Sequence, residues 1–91
     1  MKMYRQGDVL IQQVRTIPNG AKKVQRANGR VVLAYGEVTG HAHTITEEEV
    51  SMFEVDAGIR YLVVEMESFL RHEEHGAIAI PPSQYRVGKQ R

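Results

Sequence analysis

The 91-residue chain contains no cysteine, which excludes disulfide bonds and any zinc site built from thiolates of one chain. It also lacks a long apolar run, because stretches such as Tyr61–Val64 have the length of a strand and not of a membrane span. Met1–Tyr4 leads directly into the polar segment Arg5–Asp8, so we expect no signal peptide. These features predict a soluble, cytoplasmic protein without a membrane partner.

The composition is that of an ordinary globular protein, with 42% hydrophobic and 25% charged residues. The length suits one core, and we predict a single β-domain over residues 1–91. A core of this size gives marginal stability, which a bound metal or a partner subunit would increase. The composition therefore leaves a homo-oligomer open.

Charge is distributed unevenly along the chain, although the formal net charge is only +1. Basic side chains prevail in the N-terminal half and acidic ones in the C-terminal half. A basic segment lies among turn residues and consists of Lys22, Lys23, Arg26 and Arg30. Flexible basic loops can contact phosphates, but no aromatic residues lie between these cations to stack on bases. The sequence therefore does not favour nucleic acid as a partner.

Short segments rich in β-forming residues alternate with turn residues along the whole chain. Asn28-Gly29 is a strong hairpin signal, and Asp56-Ala57-Gly58 suits a three-residue hairpin loop. Thr46 followed by Glu49 is a capping-box pattern that predicts a short helix, whereas residues 68–75 are open between strand and helix. The pattern predicts an all-β barrel or sandwich of about seven or eight short strands. The expected strands are 8–14, 23–27, 30–35, 41–45, 51–55, 59–64, 77–80 and an edge strand at 85–87.

The four histidines of the chain fall into two close pairs. On an extended strand His41 and His43 point to the same face, because side chains alternate along a strand. His72 and His75 flank two glutamates, and their rings are close either in a hairpin or one turn apart on a helix. We predict that the two pairs converge.

Four imidazoles brought together suit a divalent transition metal such as zinc, nickel, iron or manganese, whose identity the pattern leaves open. Possible carboxylate ligands are Glu37, Glu47, Glu73 and Glu74. The alternative is that the histidines are surface residues and that His72–His75 forms a solvated, charged turn. The pattern thus indicates a metal site and leaves the reaction open.

The motif Gly36-(x4)-His41-Ala42-His43-(x3)-Glu47 resembles the first motif of the cupin family, and Gly76-(x4)-Pro81-Pro82-Ser83 resembles the start of the second. The resemblance implies a β-barrel that holds a metal through His41, His43 and Glu47. The glycine spacings differ, and Arg86 stands where cupins place a later histidine, so His72 or His75 would have to replace it. The chain is also similar to short uncharacterised proteins of bacteria and their phages.

We therefore expect a small metal-binding β-domain, with catalysis open. If three protein ligands hold the ion, a bound water becomes available, and Glu37, Glu73 or Glu74 could act as general base. A hydrolase and an oxygen-dependent enzyme both fit, and the substrate is left undefined. The alternative is a non-enzymatic interaction or oligomeric module, such as a phage-related protein. In such a module a strand edge such as Tyr85–Lys89 would pair with another chain.

Overall fold

Ten β-strands make up the fold in the computed structural model, which describes residues 1–89. One short 3₁₀ turn, Asp56–Gly58, is the only helical element among these residues. The strands are β1 Met3–Gln6, β2 Val9–Val14, β3 Lys22–Lys23, β4 Val31–Tyr35, β5 Ala42–Ile45, β6 Val50–Val55, β7 Ile59–Val64, β8 Ser68–His72, β9 His75–Ile80 and β10 Ser83–Lys89.

The strands form two antiparallel sheets. The larger has six strands in the order β1-β2-β10-β7-β6-β3, and the smaller has four in the order β4-β5-β8-β9. Each sheet keeps two edge strands within the described residues, so the architecture is sandwich-like and not a closed barrel. The all-β prediction is confirmed. The strand number is higher than predicted because the polar segment Met3–Gln6 also pairs with β2 and because residues 68–80 form two strands.

Side chains from both sheets fill one core. Ile11, Leu62 and Tyr85 of the larger sheet and Leu70 and Ile80 of the smaller one are at most 1% exposed. Burying an aliphatic side chain of this size contributes roughly 1.5–3 kcal/mol, so a few such residues stabilise the sandwich. No helix among the described residues is long and apolar enough to cross a bilayer.

Three local predictions differ from the structure. Residues 46–49 form a loop with a turn at Glu48-Glu49 and not a helix, because Val50 already belongs to β6 and pairs with Val64 of β7. Lys23–Ala27 is not a hairpin strand, since Lys22–Lys23 pairs instead with β6. The predicted edge strand at 85–87 is an interior strand, because β10 is hydrogen-bonded to β2 on one side and β7 on the other. Tyr85–Lys89 therefore offers no free edge to another chain.

Candidate metal centre

Three neighbouring strands carry the histidines to one place. His43 lies in β5 with His41 just before it, and β5 pairs with β8. His72 ends β8 and His75 begins β9, and these two residues face each other across the hairpin. Residues 68–75 are thus a β-hairpin with Glu73-Glu74 in the turn, which resolves the choice between strand and helix.

The four rings are in mutual contact through His72. The ring centroid of His72 lies 5.8 Å from that of His41, 4.3 Å from that of His43 and 4.7 Å from that of His75. The rings of His43 and His75 are stacked with centroids 6.0 Å apart. These distances join ring centroids; the potential ligand atoms that lie within 4.8 Å of one another belong to His41, His72 and Glu73.

A cavity of about 360 Å³ brings these rings together with charged side chains. Three carboxylates and a lysine contribute to its wall, so the cavity is polar and of mixed charge. It is lined by Asp8, Tyr35, Gly36, Glu37, Val38, His41, His43, His72, Glu74, His75 and Lys89.

His43 is the buried histidine of the cluster, with 3% exposure. Its Nδ1 lies 2.9 Å from Oε1 of Gln6, which is itself buried. Burial lowers the pKa of His43, and the neighbouring His72 lowers it further, whereas Asp8 acts in the opposite direction. A lowered pKa keeps the imidazole neutral, which is the form that binds metals.

The side of the histidine cluster next to the Glu73-Glu74 turn, which we call its mouth, holds His41, His72 and Glu73, whose potential ligand atoms lie within 4.8 Å of one another. Nδ1 of His41 is 2.7 Å from Oε2 of Glu74, yet it is buried and makes no hydrogen bond of acceptable geometry. The distance is short, but a hydrogen bond also requires the N–H to point at the acceptor. This nitrogen therefore makes no hydrogen bond in the present arrangement. A metal ion or a small rotation of either group would satisfy it.

Hydrogen bonds already engage the other two groups at the mouth. The backbone N–H of Glu74 donates to Nδ1 of His72 over 3.0 Å, so the neutral ring carries its proton on Nε2. The backbone N–H of Ala42 donates to Oε1 of Glu73 over 2.9 Å, and this bond lowers the pKa of Glu73. His72 thereby uses the lone pair of its Nδ1, whereas Oε1 of Glu73 keeps a second lone pair.

Glu47 stands apart from the other predicted site residues. Its two carboxylate oxygens accept hydrogen bonds from Arg71 at 3.0 and 3.1 Å, and it is not among the residues that line the histidine cavity. Arg71 lowers the pKa of Glu47 through this hydrogen bond. The ligand role that the cupin resemblance implies for Glu47 stays a prediction, and the structure gives this carboxylate a cationic partner of its own.

The structure therefore brings together seven of the eight predicted site residues, with Glu73 beside His41 and His72 and the other six lining the cavity. Sequence reasoning missed Gln6, Asp8 and Lys89, which reach the same cavity from the larger sheet. A glycine between two polar residues, as in Gln6-Gly7-Asp8, signals a tight turn, but nothing in the sequence shows which other strand that turn faces.

Residues 5–90 match the model of a family described as a domain of unknown function, DUF8820. The chain belongs to the DUF8820 family. The match spans all four histidines and every carboxylate of the cavity. No curated protein and no solved structure matches the chain significantly. Membership of DUF8820 assigns no activity, so the function has to be inferred from the chemistry of the cavity.

Proposed function

We propose that this DUF8820 domain binds one divalent transition metal ion in the histidine cavity. The observation that supports the proposal is the convergence of four imidazoles from β5, β8 and β9, with neighbouring centroids 4.3–6.0 Å apart. Nitrogen-rich sites with added carboxylates suit zinc, nickel, iron and manganese.

Two positions compete for the ion. At the mouth, the unsatisfied Nδ1 of His41 favours binding, but His72 and Glu73 already accept hydrogen bonds from the backbone. On the other side of the cluster, the ring of His43 is buried, its pKa is lowered, and it is stacked with the ring of the exposed His75. We place the ion on this His43 side, because binding there breaks no hydrogen bond.

Metal analysis of protein purified without chelator and reloaded with each metal tests this proposal. We expect about one equivalent in the wild type and a loss of bound metal in His43→Ala. Glu73→Gln should retain the metal, as should its matched control Glu54→Gln on an exposed part of β6. Loss of metal in Glu73→Gln alone would move the ion to the mouth, and no binding by the wild type would contradict the proposal.

Catalysis would require an open coordination position for water. Glu37 and Glu74 line the cavity, whereas Glu73 is hydrogen-bonded to the backbone beside it, so Glu37 and Glu74 are the better candidates for a general base. If Glu74 or Glu37 is the general base, its change to Gln should keep the metal and abolish turnover on any substrate that a screen identifies. If both variants keep full turnover, the carboxylates of the cavity take no part in proton transfer.

An interaction module is the second candidate, and β9 is the observation that favours it. This strand is an edge of the four-stranded sheet, and after His75 it carries no charged side chain. Edge strands commonly carry charges that prevent pairing with other chains. A DUF8820 domain that binds no metal and whose self-association is abolished by Ala77→Lys would support this function; a monomer unaffected by the substitution would contradict it.

A further inference from the structure

The turn between β1 and β2 faces the His43 side of the histidine cavity. It consists of Gln6, Gly7 and Asp8, which lie more than thirty residues before the first histidine in the chain. Each of the three residues contacts or approaches His43 or His75. The contacts differ in kind, and each has a separate consequence for metal binding.

Gln6 determines which nitrogen of His43 carries the proton. Its Nε2 donates to the carbonyl oxygen of Leu70 over 3.0 Å and to that of Gly76 over 2.9 Å. Both amide protons are thereby used, so the atom that faces His43 is the acceptor Oε1, at 2.9 Å from Nδ1. Nδ1 must then donate, and the neutral ring keeps its lone pair on Nε2.

Asp8 lies opposite that lone pair. Its Oδ1 is 3.9 Å from Nε2 of His43, too far for a direct hydrogen bond. With the proton on Nδ1, both atoms are acceptors, so a cation between them would interact favourably with both. Two ligand atoms that bind one zinc ion at about 2.0–2.2 Å are roughly 3–4 Å apart, so this pair has the spacing of a shared ion.

Lys89 approaches the second oxygen of the same carboxylate. Its Nζ lies 3.9 Å from Oδ2 of Asp8, whereas Oδ1 is the oxygen that approaches His43. A cation on Oδ2 leaves Oδ1 for a ligand in the cavity. Asp8 is therefore oriented with Oδ1 toward His43 and Oδ2 toward Lys89.

Gly7 lets the turn approach the rings. A Cβ atom at this position would lie 2.9 Å from Nε2 of His75 and 3.4 Å from Cε1 of His43. The tips of both rings thus converge on one point of the turn. The main chain here also has a positive φ of 59°, which glycine adopts at little cost.

We infer that this turn completes the metal centre, with Gln6 as a positioning residue that fixes the tautomer of His43 and Asp8 as the carboxylate ligand opposite His43. The inference rests on the metal-binding function proposed above. Metal-binding histidines generally donate their second ring nitrogen to a fixed acceptor, and loss of such an acceptor costs about 10–100-fold in affinity. Gln6 is that acceptor for His43.

Two measurements with zinc as the probe test the inference. Two-bond ¹H–¹⁵N spectra of the metal-free protein read the tautomer of His43, which we expect to carry its proton on Nδ1. Zinc titration should then show affinity lower by about 10–100-fold in Gln6→Leu and by at least about tenfold in Asp8→Asn. The controls Gln12→Leu and Asp56→Asn, which change exposed residues outside the cavity, should bind as the wild type does.

The outcomes separate this inference from the proposed function. A wild type that binds zinc while both turn variants bind it equally well would overturn the role of the turn and leave the metal site standing. A proton on Nε2 of His43 would also overturn it. A wild type that binds no zinc would overturn both proposals. If Gln6→Leu does not fold, the wild-type tautomer and the exposed Asp8→Asn still decide.

Discussion

Replacing Gly7 by alanine should weaken metal binding far more than its effect on the fold implies. The new Cβ would lie 2.9 Å from Nε2 of His75, which is the end of a side chain and can move. Relief of the overlap requires a ring displacement of roughly 0.5–1 Å. Metal–ligand distances tolerate only about 0.2 Å, so zinc affinity should fall by about 10–100-fold.

The effect on stability should come from the main chain alone. Alanine at a positive φ costs roughly 1–2 kcal/mol, whatever its surroundings. Gly20→Ala is the matched control, because Gly20 has a φ of 87° and a Cβ there would meet no heavy atom within 4 Å. In the presence of chelator both variants should therefore melt roughly 5–15 °C below the wild type.

Zinc titration calorimetry and thermal unfolding in chelator measure the two effects separately. Gly7→Ala should lose both stability and affinity, and Gly20→Ala should lose stability alone. Equal zinc affinities for the two variants and the wild type would refute the reasoning, since His75 would then have no place near the ion.

Two further predictions concern groups outside the cavity. Glu47→Gln should keep its metal and lose about 0.5–1 kcal/mol at neutral pH, because it breaks a partly exposed ion pair. The lowered pKa of Glu47 stabilises the fold above the ordinary value of 4.5, so this difference should vanish in acid unfolding curves as the pH falls through the lower, folded value. Tyr85→Phe should cost about 1–3 kcal/mol, because the hydroxyl donates to the carbonyl oxygen of Pro81 over 2.6 Å. Burial raises the pKa of Tyr85 to about 12, so the unfolded chain ionises first and the wild-type advantage should shrink between pH 10 and 12; a constant difference would contradict this assignment.

Much of the fold follows from local sequence patterns. Asn28 and Gly29 both have positive φ, as the hairpin signal requires. The hairpin between β6 and β7 also lies where its turn residues predict. The strand of Tyr85 was wrongly predicted to lie at a sheet edge, because periodicity identifies a strand but not its neighbours in the sheet. Its place between β2 and β7 depends on pairing between distant segments, which a single sequence does not specify.

The site shows the same division. The pairing of His41 with His43 and of His72 with His75 is readable along the chain, and so is the Glu73-Glu74 turn between the second pair. Their meeting depends on the pairing of β5 with β8. Gln6 and Asp8 could not be predicted, because a glutamine and an aspartate beside a turn are ordinary surface residues until the opposing strand is known.

Anomalous diffraction from a zinc-loaded crystal, recorded at the zinc absorption edge, tests the central claim most directly. We expect one peak about 2.0–2.1 Å from Nε2 of His43, a distance set by the zinc–nitrogen bond. A peak beside Glu73 and away from His43 would contradict the position beside His43, and a crystal without any peak at the histidines would contradict metal binding itself.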